Sequence, residues 1–177
     1  MRTAREKLIR QLQGAYSGEL AAGFAYRGHC RSVSNPAERE RIQQIESEEW
    51  HHRELVGGML RELGAKPNRV REVIFWIIGR TAGILCHVTG WFFPMYGAGF
   101  LERRNIVEYE DAASYARDSN HEDLIDCLLT MAEVEWEHEY FFRNKVMGHP
   151  LLRIFKLWDA APPKETIRAK YLERATA

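Results

Sequence analysis

Cysteine is scarce in this sequence. Cys30, Cys86 and Cys127 are the only three, and they lie far apart. No Cys-x-x-Cys pair occurs, which argues against a zinc ribbon, a rubredoxin-type iron site and a thioredoxin-type dithiol. An odd, scattered count fits reduced, buried thiols in a cytosolic protein. An excess of one charge is also missing: 25 basic and 25 acidic side chains give a formal net charge of zero. A broad electrostatic grip on nucleic acid or on anionic lipid is therefore not expected, though a local basic rim beside an apolar surface is compatible with neutrality. Neither a GxGxxG nor a Walker motif is present, so nucleotide binding has no support. The opening MRTAREKLIRQL is charged and amphipathic and lacks the apolar core of a secretory signal. Six prolines and thirteen glycines leave room for long helices. What is present is 45% hydrophobic and 28% charged residues in 177 positions. That is too apolar for disorder and long enough for one domain with its own core.

Helical spacing dominates the chain. Leu8, Leu12, Ala15, Leu20, Ala22 and Ala25 predict a helix over 3–31. Ser32 to Pro36 breaks it, with proline suited to the first turn of the next helix. Residues 37–63 form that helix, closed by Gly64 and Pro67. A charged helix is expected over 101–118, with a break at Ser119-Asn120. Another spans 121–147, ended by Gly148 and Pro150. A short apolar segment follows over 151–158. Pro162-Pro163 then separates a charged final helix over 164–175.

Residues 73–101 differ from the rest. The run VIFWIIGRTAGILCHVTGWFFPMYGAGFL carries one formal charge, Arg80. Its length alone would allow a membrane span. Arg80 and His87 within it, Pro94, and Gly97-Ala98-Gly99 argue for a buried or interface-lying helix that then kinks. Gly79 and Gly83 are spaced for close helix approach.

Two segments repeat. Glu49-Trp50-His51-His52 and Glu135-Trp136-Glu137-His138 both read Glu-Trp-x-His. A carboxylate and an imidazole one turn apart project from one helix face and can grip one metal ion. Each pair is preceded by a glutamate on an earlier helix. Glu19 lies 30 residues before Glu49, and Glu108 lies 27 before Glu135. Tyr26 follows Glu19 by seven residues, as Tyr115 follows Glu108. The chain thus reads as two copies of one helix pair. Four glutamates and two histidines from four helices form the ferritin-like carboxylate site for two iron or manganese ions. Four negative charges balance two divalent cations and leave positions open for oxygen or peroxide.

Rival ligands are weaker. Glu48 and His51 form a shifted pair, but the second copy has no equivalent. Of Glu108, Glu110 and Asp111, Glu108 keeps the seven-residue step to Tyr115. Asp111 is a candidate second carboxylate orienting a histidine ligand, and Tyr26 and Tyr115 are candidate hydrogen-bond partners or core. Trp50 and Trp136 read as packing residues. His29, His121 and His149 lack partners at ligand spacing and read as surface or capping residues.

These residues resemble the demethoxyubiquinone hydroxylase family. Gly18-Glu19-Leu20-Ala21-Ala22 is similar to its first ligand helix, Val107-Glu108 with Tyr115 to its third, and Glu135-Trp136-Glu137-His138 to its last. The apolar stretch between the second and third ligand helices also fits. The resemblance covers about residues 10–147, with Leu20-Ala21 replacing an aromatic-glycine pair. It implies a non-haem di-iron monooxygenase that uses dioxygen and an external reductant to hydroxylate a quinone-biosynthesis intermediate. Glu19, Glu49, His52, Glu108, Glu135 and His138 would hold the metals.

The expected architecture is all-α. Residues 1–150 form a ferritin-like four-helix bundle with an apolar crossover segment, and 151–177 a C-terminal helical appendage. The expected partners are an apolar small molecule, and lipid through 73–101 by peripheral contact; no nucleic acid is expected. That stretch also suits a homodimer. The expected location is cytoplasmic, at the inner face of the membrane. Two rival readings are a rubrerythrin- or bacterioferritin-like protein handling iron or peroxide, and a non-enzymatic docking bundle.

Overall fold

The computed structural model describes the backbone of residues 2–176 and side chains through residue 172. Residues 1 and 177, the outer limits of the two expected domains, lie outside the described residues. Among the described residues all regular structure is helical. α1 spans Ala4–Ser32, α2 Pro36–Glu62, α3 Arg69–Leu85, α4 Phe92–Asp118, α5 Ile125–Val146 and α6 Thr166–Thr176. Short 3₁₀ turns occupy Glu122–Leu124 and Pro150–Arg153. Two compact units result. One runs over Ile9–Pro94, and the other from Met95 onward together with the first turn of α1.

In the first unit, α1 and α2 form a helical hairpin. Asn35 caps α2 by accepting the Glu38 N–H at 3.1 Å, with Pro36 opening the helix. Small residues set the spacing. A Cβ on Gly23 would lie 2.6 Å from the Trp50 ring. Arg27 pairs with Glu46 at 2.8 Å, and the Trp50 indole donates to the same carboxylate at 3.3 Å. α3 lies on α1 through glycine. A Cβ on Gly79 would sit 2.5 Å from the Ala21 carbonyl oxygen, and one on Gly28 would sit 2.4 Å from the Gly83 Cα. Glu72, in the first turn of α3, accepts from the Ser17 hydroxyl at 2.6 Å and pairs with Arg53.

The remaining faces of α3 stay open. Val70, Val73, Ile74, Ile77, Ile78, Ile84 and Leu85 are all exposed, and only Gly79 and Gly83 are buried. The expected single element over 73–101 is corrected here. α3 starts four residues earlier, capped by Asn68, and ends at Leu85. The break falls at 86–91, where Gly90 takes φ +77°, a left-handed conformation that glycine adopts without steric cost. Pro94 and Gly97 to Gly99 do not kink the chain. Pro94 sits in the first turn of α4, where a missing N–H removes no intrahelical bond. None of the described helices is long and apolar enough to cross a membrane.

In the second unit, α4 and α5 are strapped by the segment that follows α5. Trp158 lies on Gly99, where a Cβ would come within 2.4 Å of the ring. Its indole donates to the buried Glu139 carboxylate at 2.6 Å, and Arg143 donates to its carbonyl at 2.6 Å. The Trp136 indole donates to the Pro162 carbonyl at 2.7 Å. Arg168 of α6 binds Glu133 at 2.8 Å and Asp126 at 2.6 Å on α5. Within the segment expected as an appendage, Trp158, Pro162 and Arg168 are thus tied to α5.

Candidate metal centre

Each long helix buries one stripe with three- and four-residue steps, the repeat of a helix facing a core. On α2 the stripe is Ile42, Ile45, Glu49, His52, Val56 and Met59. On α5 it is Leu128, Met131, Glu135, His138, Phe142 and Val146. α1 carries Glu19, Gly23, Tyr26 and Cys30. α4 carries Met95, Gly99, Glu102, Ile106, Tyr109, Ala113 and Ala116. Carboxylates and imidazoles thus occupy positions that core packing gives to Leu, Ile and Met.

In the first unit, Glu19, Glu49 and His52 each offer a ligand atom, all within 4.8 Å of one another. In the second unit, Glu102, Glu135 and His138 do the same. All six are at most 3% exposed. His138 Nδ1 lies 3.5 Å from Glu135 Oε2, and the Asn105 side-chain amide donates to Glu102 Oε2 at 2.8 Å. Each triad holds two carboxylates and one imidazole. Burying carboxylates is costly without a cation, and one divalent ion balances the charge of each triad. Oxygen and nitrogen donors of this kind suit iron or manganese.

Five of the six expected ligands fall in these triads. Glu108 does not. It is half-buried on α4 and belongs to neither grouping. Six residues separate it from Glu102, which turns it about 120° around the helix, away from the buried stripe. Glu102 stands in its place. A usable signal was present: Tyr109 follows Glu102 by seven residues, as Tyr26 follows Glu19. Both tyrosines are buried, at 2% and 5% exposure. The neighbouring Arg103 and Arg104 disguise Glu102 as a surface residue.

The outer candidates sort by face. Tyr26 is buried and stacks on His29 at 6.3 Å between ring centroids. Tyr115 is half-buried with the Lys7 ammonium 5.5 Å over its ring, and Asp111 is half-buried outside the groupings. The non-ligand acids face outward: Glu48 pairs with Arg41, Glu133 with Arg168 and Glu137 with Lys164. His149 accepts the Leu151 N–H at 3.3 Å and caps a 3₁₀ turn. His29, expected at the surface, is 2% exposed. Desolvation lowers its pKa to about 4, against a smaller upward pull from Glu38. The Glu38 carboxylate also accepts the Trp91 indole N–H at 2.9 Å.

Over 71 residues the chain is 34% identical to proteins named 3-demethoxyubiquinol 3-hydroxylase from Francisella tularensis. They include those of subsp. novicida (strain U112), subsp. holarctica (strain LVS) and subsp. tularensis (strain SCHU S4 / Schu 4). The match takes in 38% of this chain and 34% of the relatives, so it spans about a third of their length. No family model matches the chain, and no solved structure matches it significantly.

Proposed function

We propose that this chain is a non-haem di-iron hydroxylase acting on an apolar, quinone-type substrate. The observation that carries the reading is the pair of buried triads on core positions of long helices. Glu19, Glu49 and His52 would hold one ion, and Glu102, Glu135 and His138 the other. Bound ferrous ions would supply the electrons and open coordination positions that dioxygen activation requires. Manganese fits the same donors. In the overall reaction one ring C–H becomes C–OH and the second oxygen atom leaves as water. An external reductant supplies two electrons, accompanied by two protons.

The chain's own residues serve this chemistry by exclusion and orientation. Leu, Ile and Met neighbours along the α2, α4 and α5 stripes keep bulk water from the donors. Asn105 holds the Glu102 carboxylate in one rotamer. Tyr26 and Tyr109 offer phenolic donors on the same stripes as Glu19 and Glu102. The name of the relatives, 3-demethoxyubiquinol 3-hydroxylase, supports a quinol ring as the substrate. The exposed aliphatic side of α3, with Arg69 and Arg71 at its start, supports peripheral contact with a membrane surface. An isoprenoid quinol would be met there.

The test is iron loading followed by turnover. The purified chain should bind about two irons and develop the near-ultraviolet absorption of an oxo-bridged ferric pair in air. Supplied with a reductant, oxygen and a demethoxyubiquinol analogue, it should yield a product heavier by one oxygen atom. Iron binding with oxidation but no product would favour iron or peroxide handling instead. Failure to bind iron, with Glu135→Ala behaving as wild type, would sink the metal assignment.

A further inference from the structure

The stretch from Tyr140 to Trp158 contains Arg143, Lys145, Arg153 and Lys156 and no acidic residue. This is a local excess of positive charge in a chain whose total is zero. Arg143 turns inward, to Glu139 at 3.7 Å and to the Trp158 carbonyl. Arg153 and Lys156 are exposed, and the Lys145 ammonium lies 5.7 Å over the Phe141 ring. The same stretch exposes large apolar side chains: Met147 is 56% exposed, Ile154 75% and Phe155 38%.

The backbone beneath them is well held. Gly148, at φ +80°, ends α5, and Pro150 opens a 3₁₀ turn capped by His149. The Tyr96 hydroxyl donates to the Lys156 carbonyl at 2.6 Å, and the Tyr96 ring lies 6.3 Å from Phe155. Trp158 is anchored on Glu139. The loop therefore presents Ile154 between Arg153 and Phe155-Lys156 on a fixed base. The one exposed acid next in sequence is Asp159, whose carbonyl accepts from Arg103 at 3.3 Å.

We infer that the 147–156 loop docks on an anionic lipid surface, with Met147, Ile154 and Phe155 entering the headgroup region and Lys145, Arg153 and Lys156 meeting lipid phosphates. Aliphatic and aromatic side chains alternating with basic ones are the composition that such an interface binds. Charge complementarity selects an anionic membrane over a second copy of the chain, because two copies of this patch would oppose like charges. The surface lies on the second unit and does not depend on the metal reading.

The experiment measures binding of the full chain to two kinds of vesicle by co-sedimentation. One is phosphatidylcholine alone, the other an equimolar mixture with phosphatidylglycerol. The readout is the ratio of the two affinities. Contact through α3 alone, with its own Arg69 and Arg71, would keep any preference when the loop charges are reversed. Wild type should prefer the mixed vesicles by about tenfold or more at low salt. The double variant Arg153→Glu, Lys156→Glu should bring the ratio near one. Ile154→Asp should weaken binding to the mixed vesicles. Unchanged helical circular dichroism would show that both variants fold. Equal binding of wild type to both vesicles would overturn the assignment, and so would a preference kept by the double variant. Self-association abolished by Ile154→Asp, without vesicle binding, would assign the patch to a second copy instead.

Discussion

The side-chain amide of Asn105 donates a 2.8 Å hydrogen bond to Oε2 of Glu102, one turn earlier on α4. A carboxylate fixed in this way would lose less freedom on binding an ion. Asn105→Leu should therefore weaken loading of the second ion by about tenfold or more, the usual cost of losing an outer-shell partner. Titration of metal-free protein with ferrous or manganous ion, followed calorimetrically, measures it.

Glu102 and Glu108 make opposite predictions. Glu102→Ala should reduce the bound metal from about two ions to about one. Glu108→Gln should leave stoichiometry and affinity unchanged, because that side chain lies off the buried stripe. Elemental analysis of both variants after loading decides between them.

Gly79 allows α3 to lie against the backbone of α1. A Cβ there would meet the Ala21 carbonyl oxygen at 2.5 Å, and backbone cannot move aside as a side chain can. Gly79→Ala should destabilise the first unit by about 1–3 kcal/mol, as overpacked sites do. Gly18→Ala, where nothing lies within 4 Å of the added carbon, is the matched control. Urea unfolding curves of the two variants provide the comparison.

His29 gives a pH dependence of known sign. Its folded pKa of about 4 lies below the ordinary histidine value of 6.5, chiefly through desolvation. Between those values the unfolded chain binds the proton more readily. Stability contributed by neutral His29 is complete above about pH 6.5 and declines as pH falls to about 4, by roughly 3 kcal/mol at most. Removing the imidazole with His29→Gln should flatten that part of the stability profile. Denaturant midpoints of the two proteins across this range would show whether the profiles diverge there.

Trp158 and Glu139 provide a test of the strap. Trp158→Phe keeps an aromatic ring against Gly99 but removes the N–H that reaches the buried carboxylate. The expected cost is about 1–3 kcal/mol, the penalty for a buried acceptor that loses its donor. Thermal melting in comparison with Tyr140→Phe, a change at an exposed position, isolates the hydrogen bond from general loss of packing.

The all-helical class, the bounds of α1, α2 and α5 to within a few residues, and five of the six residues in the buried triads follow from the sequence alone. Their signals are local. The 3.6-residue period, the break from Ser32 to Pro36, and a Glu-x-x-His turn are each written in a short stretch of chain. The repeat of Glu-Trp-x-His further marks which of several acids matter. Tertiary structure decided what depends on the direction a helix faces. Glu102 and Glu108 are both acidic, both seven residues before a tyrosine, and both on α4. Only packing against other helices selects which face of α4 is inward, and it buries Glu102. The same holds for His29, whose burial depends on its packing in the fold, with Glu38 of α2 near it as well as Tyr26 of α1. Pro94 reads as a break in a linear scan, yet the turn at 86–91 moves the helix start so that proline falls in its first turn. The apolar 73–101 stretch likewise became two helices. Hydrophobicity states only that a segment avoids water, while glycine contacts with α1 determine which side of α3 is covered and which stays exposed.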